Sequence, residues 1–220
     1  MPRLGNRPRA VLFDLDGTLT DPAPGITRCL AHALRCIDVP VPSYDELLLA
    51  IGPPWESYLP GLGVPVERVG ETLGHYRDEY EAGGLFEATV YDGIPALLAA
   101  LQDDGFEIAL ATSKPINSAS RVIDHFGLSD YFTFLGGATL DGTRSHKHDV
   151  ISHVLATLGH RDVVMIGDRK YDIEGARHHG LACIAVSWGH APEGELASFS
   201  PAAVVDSPEH IESLLRSLPG

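Results

Sequence analysis

This chain is short of three things: cysteine, basic residues and long apolar runs. Each scarcity excludes something. No stretch approaches the ~20 apolar residues of a membrane-spanning helix, so no span is expected. The basic opening MPRLGNRPR is followed only by the apolar run Ala10–Phe13 before Asp14, so no secretory signal is expected and the compartment reads as cytoplasmic. Of the three cysteines, Cys29 and Cys36 stand seven apart in a helical pattern, about 10.5 Å by helix rise and too far to bridge. They read as small core residues of a reduced protein. Lys and Arg number 16 against 30 Asp and Glu, a formal charge of −14, which leaves no basic face for nucleic acid or an anionic membrane. The same charge weighs against an anionic small substrate, an expectation the motifs below contradict. There are eleven histidines but no HExxH or His–Cys cluster, so no zinc site is expected.

What the chain does have is apolar residue in short bursts, 44% of a 220-residue sequence, enough for a real core. Val11–Phe13, Phe106–Ala111, Phe132–Leu135, Val163–Ile166, Cys183–Val186 and Val204–Val205 are near-continuous runs, the pattern of strands covered on both faces of a parallel sheet. Between them lie helical stretches with clear punctuation. Gly93-Ile94-Pro95 opens one, and Ser118–Phe126 stops at Gly127. Ser145 is placed to cap a helix through Val150, Ile151, Val154, Leu155 and Leu158 that Gly159 ends, and Ile173–His179 stops at Gly180. Ser207-Pro208 starts the last. The alternation predicts an α/β fold, a Rossmann-like doubly wound parallel sheet core.

Residues 21–88 break the rhythm. They hold no convincing strand, a stripe of Ile26, Leu30, Ala33, Leu34 and Ile37, a capping box Ser43-x-x-Glu46 for a helix that Gly52 ends, and a longer helix from about Val66 to Ala82. That is far more than a strand crossover needs. The expected organisation is a discontinuous core, 1–20 with 89–220, carrying a small helical cap domain at 21–88.

Four motifs fall where predicted strands end or helices begin. Asp14-Leu15-Asp16-Gly17-Thr18 puts two carboxylates in one tight loop after the first strand. Thr112-Ser113-Lys114-Pro115 offers a hydroxyl and backbone N–H groups to a phosphate oxygen. Lys147 lies in the first turn of a helix. Gly167-Asp168-Arg169-Lys170-Tyr171-Asp172 sets two carboxylates four apart around a strand-to-helix turn. Singly, each suits a helix cap or a solvated residue; together they mark the carboxyl edge of an open α/β sheet, where ligands bind.

In these motifs the chain resembles the haloacid dehalogenase superfamily over nearly its whole length. DLDGTLTD, ATSKP, Lys147 and GDRKYD match that family's four motifs in order, and the helical insert stands where the family places its cap. IGPPWESYL and GGATLDGTRSHK make it similar to the phosphoglycolate-phosphatase-like branch. The resemblance implies a strand order of third, second, first, fourth, fifth. It implies Asp14 as nucleophile, Asp16 as general acid and then base, and Lys147 as the lysine that offsets Asp14. Mg²⁺ is implied, held by Asp14, Asp168, the Asp16 carbonyl and, more distantly, Asp172, which can also cap the helix starting at Ile173. Thr112, Ser113 and Lys147 would hold phosphoryl oxygens, with at least one of Arg169 and Lys170 facing the site or the cap hinge. In the cap, Gly52, Pro53, Pro54 and Trp55 are candidates for substrate contact, with Trp55 equally suited to packing. Arg28 and Arg77 could reach an anion but suit surface roles better, and His146 could stand near the phosphate.

The implied function is Mg²⁺-dependent hydrolysis of a small phosphate monoester, phosphoglycolate-like or a nucleoside 5′-monophosphate, through an aspartyl-phosphate. Asp16 favours this, because a dehalogenase needs no second carboxylate and a P-type ATPase carries Lys-Thr after its nucleophile. Alternatives are a phosphomutase of the β-phosphoglucomutase kind, or a binding protein on the same fold. The expected partner is a small phosphate ester, with no nucleic acid and no membrane, acting on a monomer or homodimer.

Overall fold

The computed structural model describes residues 3–53 and 55–220, the side chains of Glu56 and Ser57 excepted. The chain divides into two compact units, residues 1–20 with 90–220, and residues 21–89. It leaves the first after Thr20 and returns at Val90, at two short paired strands, β2 (Thr20–Asp21) and β3 (Thr89–Val90).

The larger unit is built on a six-stranded sheet of β1 (Ala10–Phe13), β4 (Glu107–Pro115), β5 (Phe134–Ala138), β6 (Val163–Gly167), β7 (Ala182–Val186) and β8 (Ala203–Val205). The strand order is β5-β4-β1-β6-β7-β8, with every pairing parallel. The implied five-strand order holds, and the Val204–Val205 run adds an edge strand. β1 is buried at every position because it lies mid-sheet. Its Leu12, with Ala109, Met165 and Cys183, packs against Val150, Ile151, Val154, Ile173 and Ala176 of two helices. Each such aliphatic side chain contributes roughly 1.5–3 kcal/mol.

Those helices are α7 (Lys147–Leu158) and α8 (Lys170–His178). The i, i+3, i+4 stripe of Val150, Ile151, Val154 and Leu155 makes α7 amphipathic, and Gly159 in the left-handed region ends it. The other helices of this unit are α5 (Ile94–Asp103), α6 (Ile116–His125), α9 (Glu195–Phe199) and α10 (Pro208–Arg216). As expected, Ser207 precedes α10.

Several boundaries differ from expectation. α7 starts after His146, not Ser145, and the His146 N–H donates to the Asp149 carboxylate at 3.4 Å. β5 runs through Gly136-Gly137 instead of stopping before them, because those positions lie against Val154, the Leu110 carbonyl and Ile116, where a side chain has no room. β4 continues past Ala111 to Pro115 through an irregularity in its register. Cys36 is exposed, its Sγ 3.4 Å from His32 Nε2, whereas Cys29 and Cys183 are buried; all three are free thiols.

The smaller unit is helical: α1 (Ala23–Cys36), α2 (Tyr44–Leu48), α3 (Trp55–Tyr58) and α4 (Val69–Ala82), with short 3₁₀ turns between. The Ser43–Glu46 capping box forms, though α2 stops at Leu48, short of Gly52. Val66–Arg68 is a 3₁₀ turn leading into α4. Among the described residues, no helix is long and apolar enough to cross a membrane.

Candidate active site

The sheet register assembles the site. Phe13 pairs with Leu110 on one side and Ile166 on the other. Asp14 and Asp168 therefore follow two adjacent strands at the same edge, and Thr112 lies level with them within β4. Asp14 is nearly buried; its Oδ1 accepts the N–H of Leu15 at 2.8 Å and lies 2.8 Å from Lys147 Nζ.

Lys147 comes from α7 and is enclosed. Its ammonium reaches Asp14 Oδ1 and Asp172 Oδ1, each at 2.8 Å, and donates to the Ala111 carbonyl at 3.0 Å. Burial works against its charge, but the Asp14 and Asp172 carboxylates outweigh it, so the lysine is held above its ordinary pKa and stays protonated. Its aliphatic stem crosses Gly175 of α8, where any side chain would collide with it.

Asp172 caps a helix and also faces the site. In the first turn of α8 its Oδ2 accepts the Arg169 N–H at 3.0 Å, capping the helix, while Oδ1 faces Lys147. Burial pushes its pKa up to about 6, against the pull of Lys147 and with the help of Asp14. Asp168 is wholly buried. It receives a backbone N–H from His190 at 2.8 Å and the Thr18 hydroxyl at 3.4 Å. Burial, Asp172 and Asp14 together push its pKa well above the carboxylate range. Gly17, at φ +85°, and Gly189 close on this carboxylate so tightly that neither position has space for a Cβ.

Oxygens of Asp14, Asp168 and Asp172 all lie within 4.8 Å of one another. Three buried carboxylates served by one ammonium leave excess negative charge, which adds to the effect of burial in raising the Asp168 pKa. Such an all-oxygen set suits a hard divalent cation.

Asp16 is less buried. Its carboxylate is gripped by Lys114, whose Nζ lies 3.0 and 2.7 Å from the two oxygens. Thr112 is buried, and its Oγ1 accepts the Lys114 N–H at 3.2 Å; Ser113 points outward.

Other expected residues have different company. The Arg169 guanidinium, expected among the phosphate-binding groups, is engaged by Glu195 of α9 at 2.9 and 3.4 Å. The Lys170 N–H also donates to Glu195, and the Lys170 ammonium lies over the rings of Tyr171 and Phe199. Burial would raise the Glu195 pKa, but Arg169 and the Lys170 N–H hold it below its ordinary value. In the helical unit, Arg28 is paired with Glu79 and Glu87, and Arg77 is exposed. Trp55 is half-buried against Tyr76, with ring centroids 4.5 Å apart. Gly52 is exposed at φ +107° and Pro53 half-buried; Pro54 lies outside the described residues. His146 is exposed.

Lys114, Glu195 and the Trp188-Gly189-His190 loop were not singled out from the sequence. For Lys114 a signal existed: once β4 continues past Ala111, period-2 alternation puts Thr112 and Lys114 on one face and Ser113 on the other. Trp188 Nε1 donates to the Thr18 carbonyl at 3.1 Å, so this loop braces both Thr18 and Asp168.

Comparison with known proteins agrees with this arrangement. Residues 11–186 match the haloacid dehalogenase-like hydrolase family. The chain is 42% identical over 194 residues to a 5′-nucleotidase of Pseudomonas aeruginosa, covering 87% of this chain and 88% of that one. It is also 42% identical over 188 residues to tyrosine-protein kinase PtkA of Mycobacterium tuberculosis, covering 84% of this chain but only 64% of that protein's length. A crystal structure titled as a predicted phosphatase from Clostridium acetobutylicum superposes with a TM-score of 0.90 at 38% identity, covering 96% of this chain and 99% of that one.

Proposed function

This chain belongs to the haloacid dehalogenase-like hydrolase family, and on that premise we propose that it is a Mg²⁺-dependent phosphatase of small organic phosphate monoesters, working through an aspartyl-phosphate. The observation that carries the reading is the convergence of Asp14, Asp168 and Asp172 within 4.8 Å, with Lys147 set against two of them.

Asp14 and Asp168 would hold the cation through carboxylates and Asp16 through its backbone carbonyl, with Asp172 beside them. Bound there, Mg²⁺ supplies charge that draws the phosphate dianion to an acidic site and polarises its oxygens.

The chain's own residues do the rest. Asp14 attacks phosphorus with a carboxylate oxygen, and the bond from phosphorus to the ester oxygen breaks. Asp16 gives its proton to that leaving oxygen. In the second half Asp16 takes a proton from water as the water attacks the aspartyl-phosphate, releasing phosphate and restoring Asp14. Lys147, Thr112 and the Ser113 backbone orient the phosphoryl oxygens, and the Lys147 ammonium offsets the charge of Asp14. Arg169, engaged by Glu195, supports the Asp168–Asp172 turn.

Nucleoside 5′-monophosphates are the leading substrate class, supported by the likeness to the 5′-nucleotidase over most of both chains. The test is a panel of nucleotides, phosphoglycolate, hexose 1-phosphates and aryl phosphates, followed by phosphate release with and without Mg²⁺. Mg²⁺-dependent release is expected. Isomerisation of a hexose 1-phosphate without release, or transfer from ATP to a tyrosine peptide with no monoester hydrolysis, would overturn the proposal.

A further inference from the structure

The loop after β7 is fitted closely around Asp168. β6 and β7 pair in parallel with Gly167 beside Ala185, so the chain beyond Val186 emerges level with Asp168. Two contacts with Asp168 are then made by backbone. The His190 N–H donates to Asp168 Oδ2 at 2.8 Å. Gly189 lies so near that a Cβ there would stand 2.3 Å from Asp168 Cβ and 2.4 Å from the Gly17 carbonyl oxygen. Neither contact uses the side chains at 189 and 190; both depend on where the loop is held.

Trp188 holds it. Its Nε1–H donates to the Thr18 carbonyl at 3.1 Å, joining this loop to the one that carries Asp14 and Asp16. Thr18 is fully buried, and its hydroxyl donates to Asp168 Oδ1 at 3.4 Å. The Tyr91 ring stands edge-on to the indole, with centroids 6.4 Å apart. The indole thus has one packing partner and one hydrogen-bond partner, and chemistry can separate the two.

We propose that Trp188 is a positioning residue for the cation: through its indole N–H it sets the loop whose backbone fixes the Asp168 carboxylate. The inference rests on the reading of Asp168 as a Mg²⁺ ligand. Mg²⁺ demands near-ideal octahedral geometry, so a ligand carboxylate free to swing binds it less well. Outer partners that orient a ligand are worth about 10–100-fold in metal affinity. Without the indole N–H, the buried Thr18 carbonyl loses that donor, a cost that favours a shift of the chain around it. That chain includes Gly17 and Thr18, both set against Asp168.

Two substitutions, each checked by circular dichroism, separate the hydrogen bond from the packing. Trp188→Phe keeps an aromatic ring to face Tyr91 but has no N–H. Trp188→His loses the benzo ring, yet its Nε2 takes the place of the indole nitrogen in the five-membered ring and donates in one tautomer. Metal-free protein is titrated with Mg²⁺ by calorimetry at about pH 8, where imidazole is neutral. Trp188→Phe should weaken binding about tenfold, the lower end of the range for outer partners, because the indole acts through Thr18 and the loop. Trp188→His should stay within about threefold of wild type, since the donor is kept. In turnover assays on Trp188→Phe, half-saturating Mg²⁺ should rise in step, with kcat at saturating Mg²⁺ little changed. A brace of the fold alone would lower melting temperature and leave Mg²⁺ affinity where it was. Unaltered affinity in Trp188→Phe, or a loss of about tenfold in Trp188→His, overturns the positioning role and leaves the phosphatase reading standing. No Mg²⁺ binding by the wild type overturns both.

Discussion

Lys114 Nζ sits between the two carboxylate oxygens of Asp16, 3.0 and 2.7 Å away, and occupies both as acceptors. In the proposed mechanism Asp16 gives a proton to the leaving oxygen, which requires this pair to open when substrate arrives. A phosphate dianion offers Lys114 a competing partner. Lys114→Met should therefore reduce kcat by about 100-fold, the scale for losing one charged donor at a phosphoryl site. Steady-state kinetics on the best substrate checks this; a rate within threefold of wild type removes Lys114 from the mechanism.

Asp14→Asn removes the attacking oxygen while keeping shape. Turnover should fall by about 10³-fold or more, with the fold retained by circular dichroism. Acid-quench trapping of phosphoprotein should find none in the variant. Substantial residual turnover would exclude Asp14 as nucleophile.

Asp168→Asn tests charge against metal. In metal-free protein burial, and then the neighbouring Asp172 and Asp14, push the Asp168 pKa up. Neutralising it should raise the metal-free melting temperature, by about 2–4 °C for each kcal/mol relieved. The same change should weaken Mg²⁺ activation. Thermal melts with and without Mg²⁺ show both effects; an unchanged metal titration would mean that Asp168 is not a ligand.

The pH response of metal-free protein follows from Asp172. Its folded pKa of about 6 lies above the ordinary 3.8. The folded state therefore holds the proton more tightly than the unfolded chain. The stability this contributes is complete below pH 3.8 and is lost as pH rises through about 6. Melting temperature in chelator should carry a declining contribution from pH 4 to 7, and Mg²⁺ should restore more at pH 7 than at pH 5. Melts across that range with and without Mg²⁺ measure it.

Glu195→Gln removes the carboxylate charge that faces the Arg169 guanidinium in a largely enclosed setting. Discounted for partial solvent access, the loss should be about 1–3 kcal/mol, read by urea unfolding. Because Arg169 and Lys170 lie within the Asp168–Asp172 turn, half-saturating Mg²⁺ should also rise. Destabilisation with unaltered Mg²⁺ dependence would make the pair a brace of the fold alone.

Much of this was legible in the sequence because the β-sheet is buried on both faces. Its strands read as apolar bursts, and the polar residues that end those bursts, Asp14, Thr112 and Asp168, stand out against that background, although β4 itself runs on past Thr112. Asp172 and Lys147 were legible as first-turn residues. What escaped was contact between distant segments. Nothing local ties Glu195 to Arg169, or His190 to Asp168, since each pair is joined only by where α9 and the loop after β7 come to rest. Boundaries slipped where a neighbour overrode local preference, as at Gly136-Gly137, where Val154 and Ile116 demand glycine inside a strand. Arg28 is exposed, in keeping with the surface role that suited it better, but its partners Glu79 and Glu87 are revealed only by folding.

The central position of β1 has a consequence for synthesis. β1 ends at Phe13, yet its sheet neighbours begin at Glu107 and Val163. At about 5–20 residues per second, the ribosome leaves this fully apolar strand without a partner for roughly 5–20 s. During that interval the helical unit, complete by Thr89, can gather its own core. Nascent chains stalled between those two points should bind chaperones through Ala10–Phe13, and release should coincide with the emergence of β4 and then β6.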